Sequence, residues 1–302
     1  MQNRRDFIKT ILAGSTILAI PPALMAFSEK NSLKLVILHT SDTHSNIEPF
    51  PANDTRNPNV GGVARRAGLI NKIRSENEHV ILFDSGDIFQ GTPYFNYFNG
   101  KLDFELMSKL KYDAATLGNH EFDNGIEPLV ENMQYAKFPF VNSNYDFSET
   151  SLNGKIEKWL IFNRGKLRIG TIGLGINPVG LITKSNYKGL IYKDPLTEGD
   201  SIAKMLKEEK KCDFIVAISH LGYDMGKEID DKKLAAKSRY IDLILGGHSH
   251  KFMKTPEIIY NLDNKPVIVQ HSGMGGLYLG RLDFTFFKDN VKMKSELYTI
   301  NN

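Results

Sequence analysis

Five times along the chain an apolar run stops at a turn that carries Asp, Asn or His. The segments are VILHTSDTH (36–44), ILFDSGD (81–87), ATLGNHEFD (115–123), FIVAISHLG (214–222) and LILGGHSH (243–250). Short apolar runs closed by turn residues read as buried strands. They belong to a wider set of expected strands at Leu33–Leu38, His79–Asp87, Tyr112–Leu117, Phe138–Asn142, Lys166–Leu174, Asp213–Ser219, Ile241–Leu245, Val267–Gln270, Gly280–Phe287 and Val291–Thr299. Helical patterns fall between them at Ala64–Ile73, Leu102–Lys111, Leu196–Lys210 and Lys227–Ser238. Strands alternating with helices imply an α/β fold. Residues 45–62 are polar and rich in Pro, Asn and Gly, so they read as a surface loop. No repeat or linker divides the chain. Open α/β sheets hold ligands outside the carboxyl ends of their strands, so five such turns from one sheet are expected to converge on one pocket.

The side chains in those turns are Asp42, His44, Asp87, Asn119, His220, His248 and His250. Carboxylate, imidazole and amide oxygen without thiolate form a mixed N/O set that suits Mn, Fe, Zn or a similar divalent ion. The chain has 8 histidines, and His44, His120, His220, His248 and His250 lie in or beside these turns. Asp42/His44 and His248/His250 are spaced i, i+2. In extended chain each pair points to one side, able to clasp one ion or flank two. Two ions about 3.5–4 Å apart are a known clamp for phosphoryl-type displacement.

Composition narrows the alternatives. Apolar residues make up 41% and charged residues 24%, which is ordinary for a globular chain and excludes a disordered or multi-span membrane protein. The net charge is +3. Arg4, Arg5 and Lys9 against Asp6 account for two of those charges, leaving about +1 and no basic footprint for nucleic acid. The single cysteine, Cys212, permits no intrachain disulfide and reads as a small core residue.

The amino terminus reads NRRDFIK, then an apolar run from Thr10 to Ile20, then PPALMA. A basic start, a short apolar run and a small residue at the cut define a signal peptide over residues 1–26. Arg4-Arg5 with Phe7 and Lys9 resembles a twin-arginine export signal. The expected location is periplasmic or otherwise exported, with no membrane association after signal removal.

The motifs SDTH, SGD, GNHE, SHLG and GGHSH, in this order, resemble those of the calcineurin-like metallophosphoesterases. GDIFQGTPYFNYFNG (86–100), YDAATLGNHEFDNG (112–125) and YIDLILGGHSH (240–250) are similar to the catalytic, amino-terminal domain of the 5′-nucleotidase family. The resemblance covers about residues 33–287. It implies a four-layer α/β/β/α sandwich occupying residues 27–302 and two divalent metal ions. By resemblance, Asp42, His44 and His250 would hold one ion and Asn119, His220 and His248 the other, with Asp87 bridging. His120, fixed by Asp123, would stabilise the transferring phosphoryl group or the leaving oxygen. Asn119 would also touch phosphate, and Glu121 reads as structural. The implied reaction is hydrolysis of phosphate monoesters, 5′-nucleotides foremost, by a metal-bound hydroxide. Asp42 as nucleophile is the alternative, a poor one for a metal-bound carboxylate.

The family's second domain, which carries nucleoside-binding residues, is not expected within this chain. Three readings follow: a broad-specificity phosphatase, a separate partner chain supplying that domain, or another substrate such as a cyclic nucleotide, nucleotide sugar or sulfur ester. A non-catalytic metal-binding module is the fourth, opposed by the intact His120/Asp123 pair.

Other signals have plainer readings. Gly61-Gly62 set a turn and Arg65 starts a helix. His39 and His271 lie near the motifs but outside them, and His271 either reaches the pocket or fills space, the second being favoured. Gly273, Gly275 and Gly276 are not a phosphate loop, since no Lys-Ser/Thr follows. Tyr94, Phe95, Tyr97 and Phe98 could stack on a base, with packing favoured.

Overall fold

The computed structural model describes residues 32–288 and 290–301. The signal-peptide reading for residues 1–26 lies outside the described residues. The chain forms β1 (Leu33–Thr40), α1 (Val63–Glu76), β2 (Val80–Asp84), α2 (Pro93–Phe98), α3 (Lys101–Lys109), β3 (Ala114–Ala115), α4 (Ile126–Met133), β4 (Phe140–Val141) and β5 (Tyr145–Asp146). It continues with β6 (Ile156–Glu157), β7 (Leu160–Arg164), β8 (Leu167–Leu174), β9 (Ile191–Tyr192), α5 (Pro195–Glu208), β10 (Phe214–Ser219), α6 (Asp231–Lys237), β11 (Leu243–Gly246), β12 (Glu257–Tyr260), β13 (Pro266–His271), β14 (Tyr278–Phe286) and β15 (Val291–Thr299). Among the described residues no helix is long and apolar enough to cross a membrane.

Two main sheets result. One has the order β15-β14-β1-β2-β3-β4-β6, the other β12-β13-β11-β10-β8-β7. β1, β2 and β3 run parallel, as do β8, β10, β11 and β13. The expectation of one sheet is therefore corrected: three of the five turns leave the first sheet and two leave the second. The reason is burial on both faces. A strand covered on both sides is apolar at every position, so nothing in its sequence marks which sheet it joins.

Three apolar layers follow from the strand pleat, which sends alternate side chains to opposite faces. Leu35 and Ile37 of β1 meet Val216 and Ile218 of β10 and Leu243 and Leu245 of β11 between the sheets. Val36 and Leu38 turn outward to Ile70 of α1, Phe104 of α3 and Leu129 of α4. Ile215 and Ala217 turn the other way, to Leu206 of α5 and Leu234 of α6. Helices, sheet, sheet, helices is the four-layer α/β/β/α architecture.

Local chemistry sets the helix starts. Asp194 caps α5 by accepting from the Thr197 N–H, with Pro195 at the first position, and Asp230 caps α6 through the Lys233 N–H. α2, α4, β5, β6, β7, β9 and β12 were not expected. α4 carries Pro128 in its first turn, where proline is tolerated but reads as a breaker, and β12 is a partly exposed edge strand.

Candidate metal centre

Every residue singled out by the five turns lies at a strand's carboxyl end. Because the two sheets pack face to face, those ends lie side by side and the site straddles both. Backbone hydrogen bonds lace the first two turns together: Asp42 N to Gly86 O (2.8 Å), His44 N to Asp87 O (3.1 Å) and Ser45 N to Ile88 O (2.8 Å). The second sheet is tied in by His248 N, which donates to Asp42 Oδ1 at 2.9 Å.

Two ligand groups emerge. Asp42, His44 and His250 form one, and Asp87, His220 and His248 the other, with ligand atoms in each group within 4.8 Å of one another. In the first, His44 Nε2 lies 3.0 Å from His250 Nε2, and His250 Nε2 lies 3.7 Å from Asp42 Oδ1. In the second, His220 Nε2 lies 3.0 Å from Asp87 Oδ2. Asn119 joins it, its Oδ1 being 2.9 Å from His248 Nδ1. His120 stands alongside: its N–H donates to Asp87 Oδ1 (2.8 Å) and its Nδ1 lies 2.7 Å from Asp123 Oδ2.

The local backbone differs from the extended chain expected for the i, i+2 pairs. Asp42 (φ 50), His44 (φ 49), Asp87 (φ 53), His248 (φ 68) and His250 (φ 52) all sit in the left-handed region. Such a conformation is uncommon for non-glycine residues, costs on the order of 1–3 kcal/mol each and gathers at functional sites. Asp42 and His44 still share one group, while His248 and His250 are divided between the two.

The arrangement fits divalent cations. His44 Nδ1 faces the Phe89 carbonyl (3.1 Å) and His220 Nδ1 the Ser85 carbonyl (2.6 Å). A carbonyl only accepts, so Nδ1 carries the proton and Nε2 is left as the ligand atom. Asp42 Oδ2 is buried without a hydrogen-bond partner, and His220 Nε2 meets the Asp87 carboxylate at 3.0 Å. Burial lowers the pKa of His44, His248 and His250, reaching about 4 at His248, which keeps these imidazoles neutral as metal ligation requires. Burial raises the pKa of Asp42. Burial works against the charges of Asp87 and His220 alike, but their mutual attraction outweighs it, holding Asp87 low and His220 high. Among the described residues no Lys or Arg pairs with Asp42 or Asp87. The backbone also crowds the centre: a Cβ on Gly118 would collide with Asp87 Oδ1, and one on Gly247 would lie 2.9 Å from His220 Nδ1.

Residues 35–252 match the calcineurin-like phosphoesterase family. The chain belongs to that family. It is 32% identical over 288 residues to the trifunctional nucleotide phosphoesterase protein YfkN of Bacillus subtilis (strain 168), covering 85% of this chain and 18% of that protein. It is 32% identical over 284 residues to snake venom 5′-nucleotidase of Crotalus adamanteus, covering 87% of this chain and 47% of the venom protein. The solved structure of the 5′-nucleotidase precursor from Thermus thermophilus matches with a TM-score of 0.80 at 32% identity, covering 88% of this chain and 54% of that one. The chain thus spans about half the length of these relatives, or less.

Around this centre, Glu121 has the structural place expected of it. Its buried carboxylate accepts from the backbone N–H groups of Asp87 (3.0 Å), Ile88 (2.7 Å), Phe89 (3.2 Å) and Gly118 (2.6 Å), clamping the second turn to the third. Sequence reasoning missed Gly275, whose N–H holds the Asp42 carbonyl at 2.7 Å, and a GNHE-type motif says nothing of such a distant support. Arg65 bonds Asn59 at its backbone and side-chain oxygens, in keeping with a structural role. The aromatic group divides: Phe95 is core, but Tyr97 is 84% and Phe98 40% exposed, so packing accounts for only part of it. His271 is not part of either ligand group. It lies buried, 2.8 Å from Asp231 Oδ2.

Proposed function

We propose that this protein is an exported two-metal phosphoesterase that hydrolyses phosphate monoesters, 5′-nucleotides foremost. One observation carries the reading: two adjoining N/O ligand groups stand beside a separate His120–Asp123 pair. A site built only to store metal has no use for that pair. Asp42, His44 and His250 would hold one ion, and Asn119, His220 and His248 the second, with Asp87 between them. When bound, two such ions neutralise phosphate charge and activate a water molecule as the nucleophile.

The chain's own residues do the rest. Asp123 fixes the His120 ring, and this hydrogen bond is the chief cause that raises the imidazole's pKa above its ordinary value. With Nδ1 engaged, Nε2 is free to donate to a phosphoryl oxygen or to the departing alkoxide. The Asn119 amide would contact phosphate from the same turn. The leader-like residues 1–26 support export, and the nucleotide-acting relatives support a nucleotide substrate. A nucleoside-recognising domain supplied by a separate chain is part of this proposal.

The test is phosphate release by the metal-loaded protein lacking residues 1–26, with AMP set against p-nitrophenyl phosphate. AMP preference is expected if the chain itself recognises the nucleoside. Equal turnover would point to specificity supplied by a partner. No release from either, with two ions bound, would overturn the monoesterase reading in favour of other esters or of metal binding alone.

A further inference from the structure

Each ligand group has a histidine whose neighbour in sequence is a fully buried serine. Ser45 follows His44, and Ser219 precedes His220. Neither hydroxyl faces the metal centre. Ser45 Oγ donates to Asp103 Oδ2 at 3.1 Å, and Ser219 Oγ donates to Asp231 Oδ1. Both aspartates are buried, and both sit in the first turn of a helix: Asp103 in α3, which covers the first sheet, and Asp231 in α6, which covers the second.

We propose that Ser45–Asp103 and Ser219–Asp231 are two matched braces, each positioning one metal-ligand group from the outer layer behind it. This inference rests on the two-metal reading given above.

The surrounding contacts support an orienting role. At the first brace, Ser45 itself lies at φ 50, directly after His44 at φ 49. Two consecutive left-handed residues persist only where neighbours over-determine them. Ser45 supplies three such ties: its hydroxyl to Asp103, its N–H to Ile88 O, and its carbonyl from Thr92 Oγ1 at 2.7 Å. At the second, Ser219 Oγ also accepts from Leu221 N at 3.3 Å, so one hydroxyl spans the residue that carries the imidazole. Each brace carboxylate also has a cationic or imidazole companion. Arg66 lines the same small cavity as Asp103, with Nε and Nη1 lacking a hydrogen-bond partner. His271 Nε2 lies 2.8 Å from Asp231 Oδ2. The strand beside this second pair must be bare, because a Cβ on Gly246 would collide with His271 Nε2. These residues touch neither substrate nor metal. They act through His44 and His220, as groups behind metal ligands do when they fix ring orientation.

The experiment titrates Co(II) into the chelator-treated protein, reading affinity from visible absorbance and from competition with a chelator of known strength. Wild type should bind two ions. Loss of a supporting contact costs about 10–100-fold in metal affinity, and here the loss should be site-selective. In a His44→Ala background, where only the His220 group remains intact, Ser219→Ala should weaken the surviving site and Ser45→Ala should not. In a His220→Ala background the pattern should reverse. Melting of the metal-free variants serves as the control for folding. If an alanine variant fails to fold, Asp103→Asn or Asp231→Asn replaces it, with a smaller loss at the same site expected. Unchanged affinities, or equal loss at both sites from either serine, would overturn the braces while leaving the two-metal reading intact. Fewer than two ions on wild type would overturn both.

Discussion

The two ends of the parallel strands carry the same residue type in opposite circumstances. At the amino ends, Asp113 enters β3 and Asp242 enters β11. Asp113 accepts from Leu82 N (2.9 Å) and pairs with Arg164 (2.6 Å), while Asp242 accepts from Ile215 N (2.7 Å) and pairs with Lys207 (2.7 Å). Each carboxylate there has both a backbone donor and a permanent cation from the chain itself. At the carboxyl ends, Asp42 and Asp87 are more deeply buried, sit in left-handed backbone, and face imidazoles. Among the described residues no Lys or Arg pairs with them. Buried charge needs compensation. One end is compensated by permanent cations of the polypeptide, while the other faces imidazoles, a donor set that fits a divalent ion.

The contrast can be broken in four places. The largest effect is expected at Asp87, the carboxylate between the two ligand groups: Asp87→Asn should abolish Co(II) binding at the His220 group and lower phosphate release by at least about 10³-fold, the worth of several kcal/mol of metal-borne charge stabilisation. Retained activity with full metal content would remove Asp87 from the centre. His120→Ala comes next, with kcat down about 10²–10⁴-fold, the range of a lost general acid, and metal content unchanged by elemental analysis. Parallel loss of metal would make His120 a ligand instead. At the opposite end, Asp242→Ala leaves the Ile215 N–H without its partner, a cost of about 1–3 kcal/mol. The melting temperature should fall by several degrees, equally with and without chelator, because among the described residues neither candidate ligand group lies at this end. A drop that vanishes under chelation would couple the two ends.

The smallest effect is one of pH. Burial pushes Asp84 up to about 6, against the pull of its Thr40 and Gly86 hydrogen bonds. Its folded pKa lies above the unfolded value of about 4, so the protonated form favours the fold. That contribution is full below about pH 4 and is lost as pH rises through about 6. Asp84→Asn does not titrate. In chelator, its melting temperature should therefore gain on wild type between about pH 4 and 6 and hold the gain above. A difference independent of pH would mean that Asp84 folds already ionised.

The centre was legible because polar residues at the ends of apolar runs are conspicuous: Asp42, His44, Asp87, Asn119, His220, His248 and His250 each announce themselves in a local window. The resemblance then supplied the layer count. What stayed hidden was relational. Leu35 and Val216 look alike in sequence, and only packing shows that they face each other from different sheets. The left-handed backbone at five ligand positions leaves no trace, because Asp and His, unlike Gly, are not diagnostic of positive φ. Glu121 reads as an ordinary motif residue until four N–H groups are seen converging on it. The aspartates behind Ser45 and Ser219 lie 58 and 12 residues away, beyond any spacing rule.

A site shared by two sheets also has a bearing on folding. Asp42 and His248, joined by a hydrogen bond, are 206 residues apart in the chain. Neither half of the sandwich presents a finished set of donors alone, so a cation would be bound only once both halves have docked. Ligands that bind the native state alone stabilise it by mass action, about 2.7 kcal/mol at a hundredfold excess over Kd. That gain falls on the whole domain at once. A bound ion would therefore fasten the first sheet to the second rather than either sheet to itself.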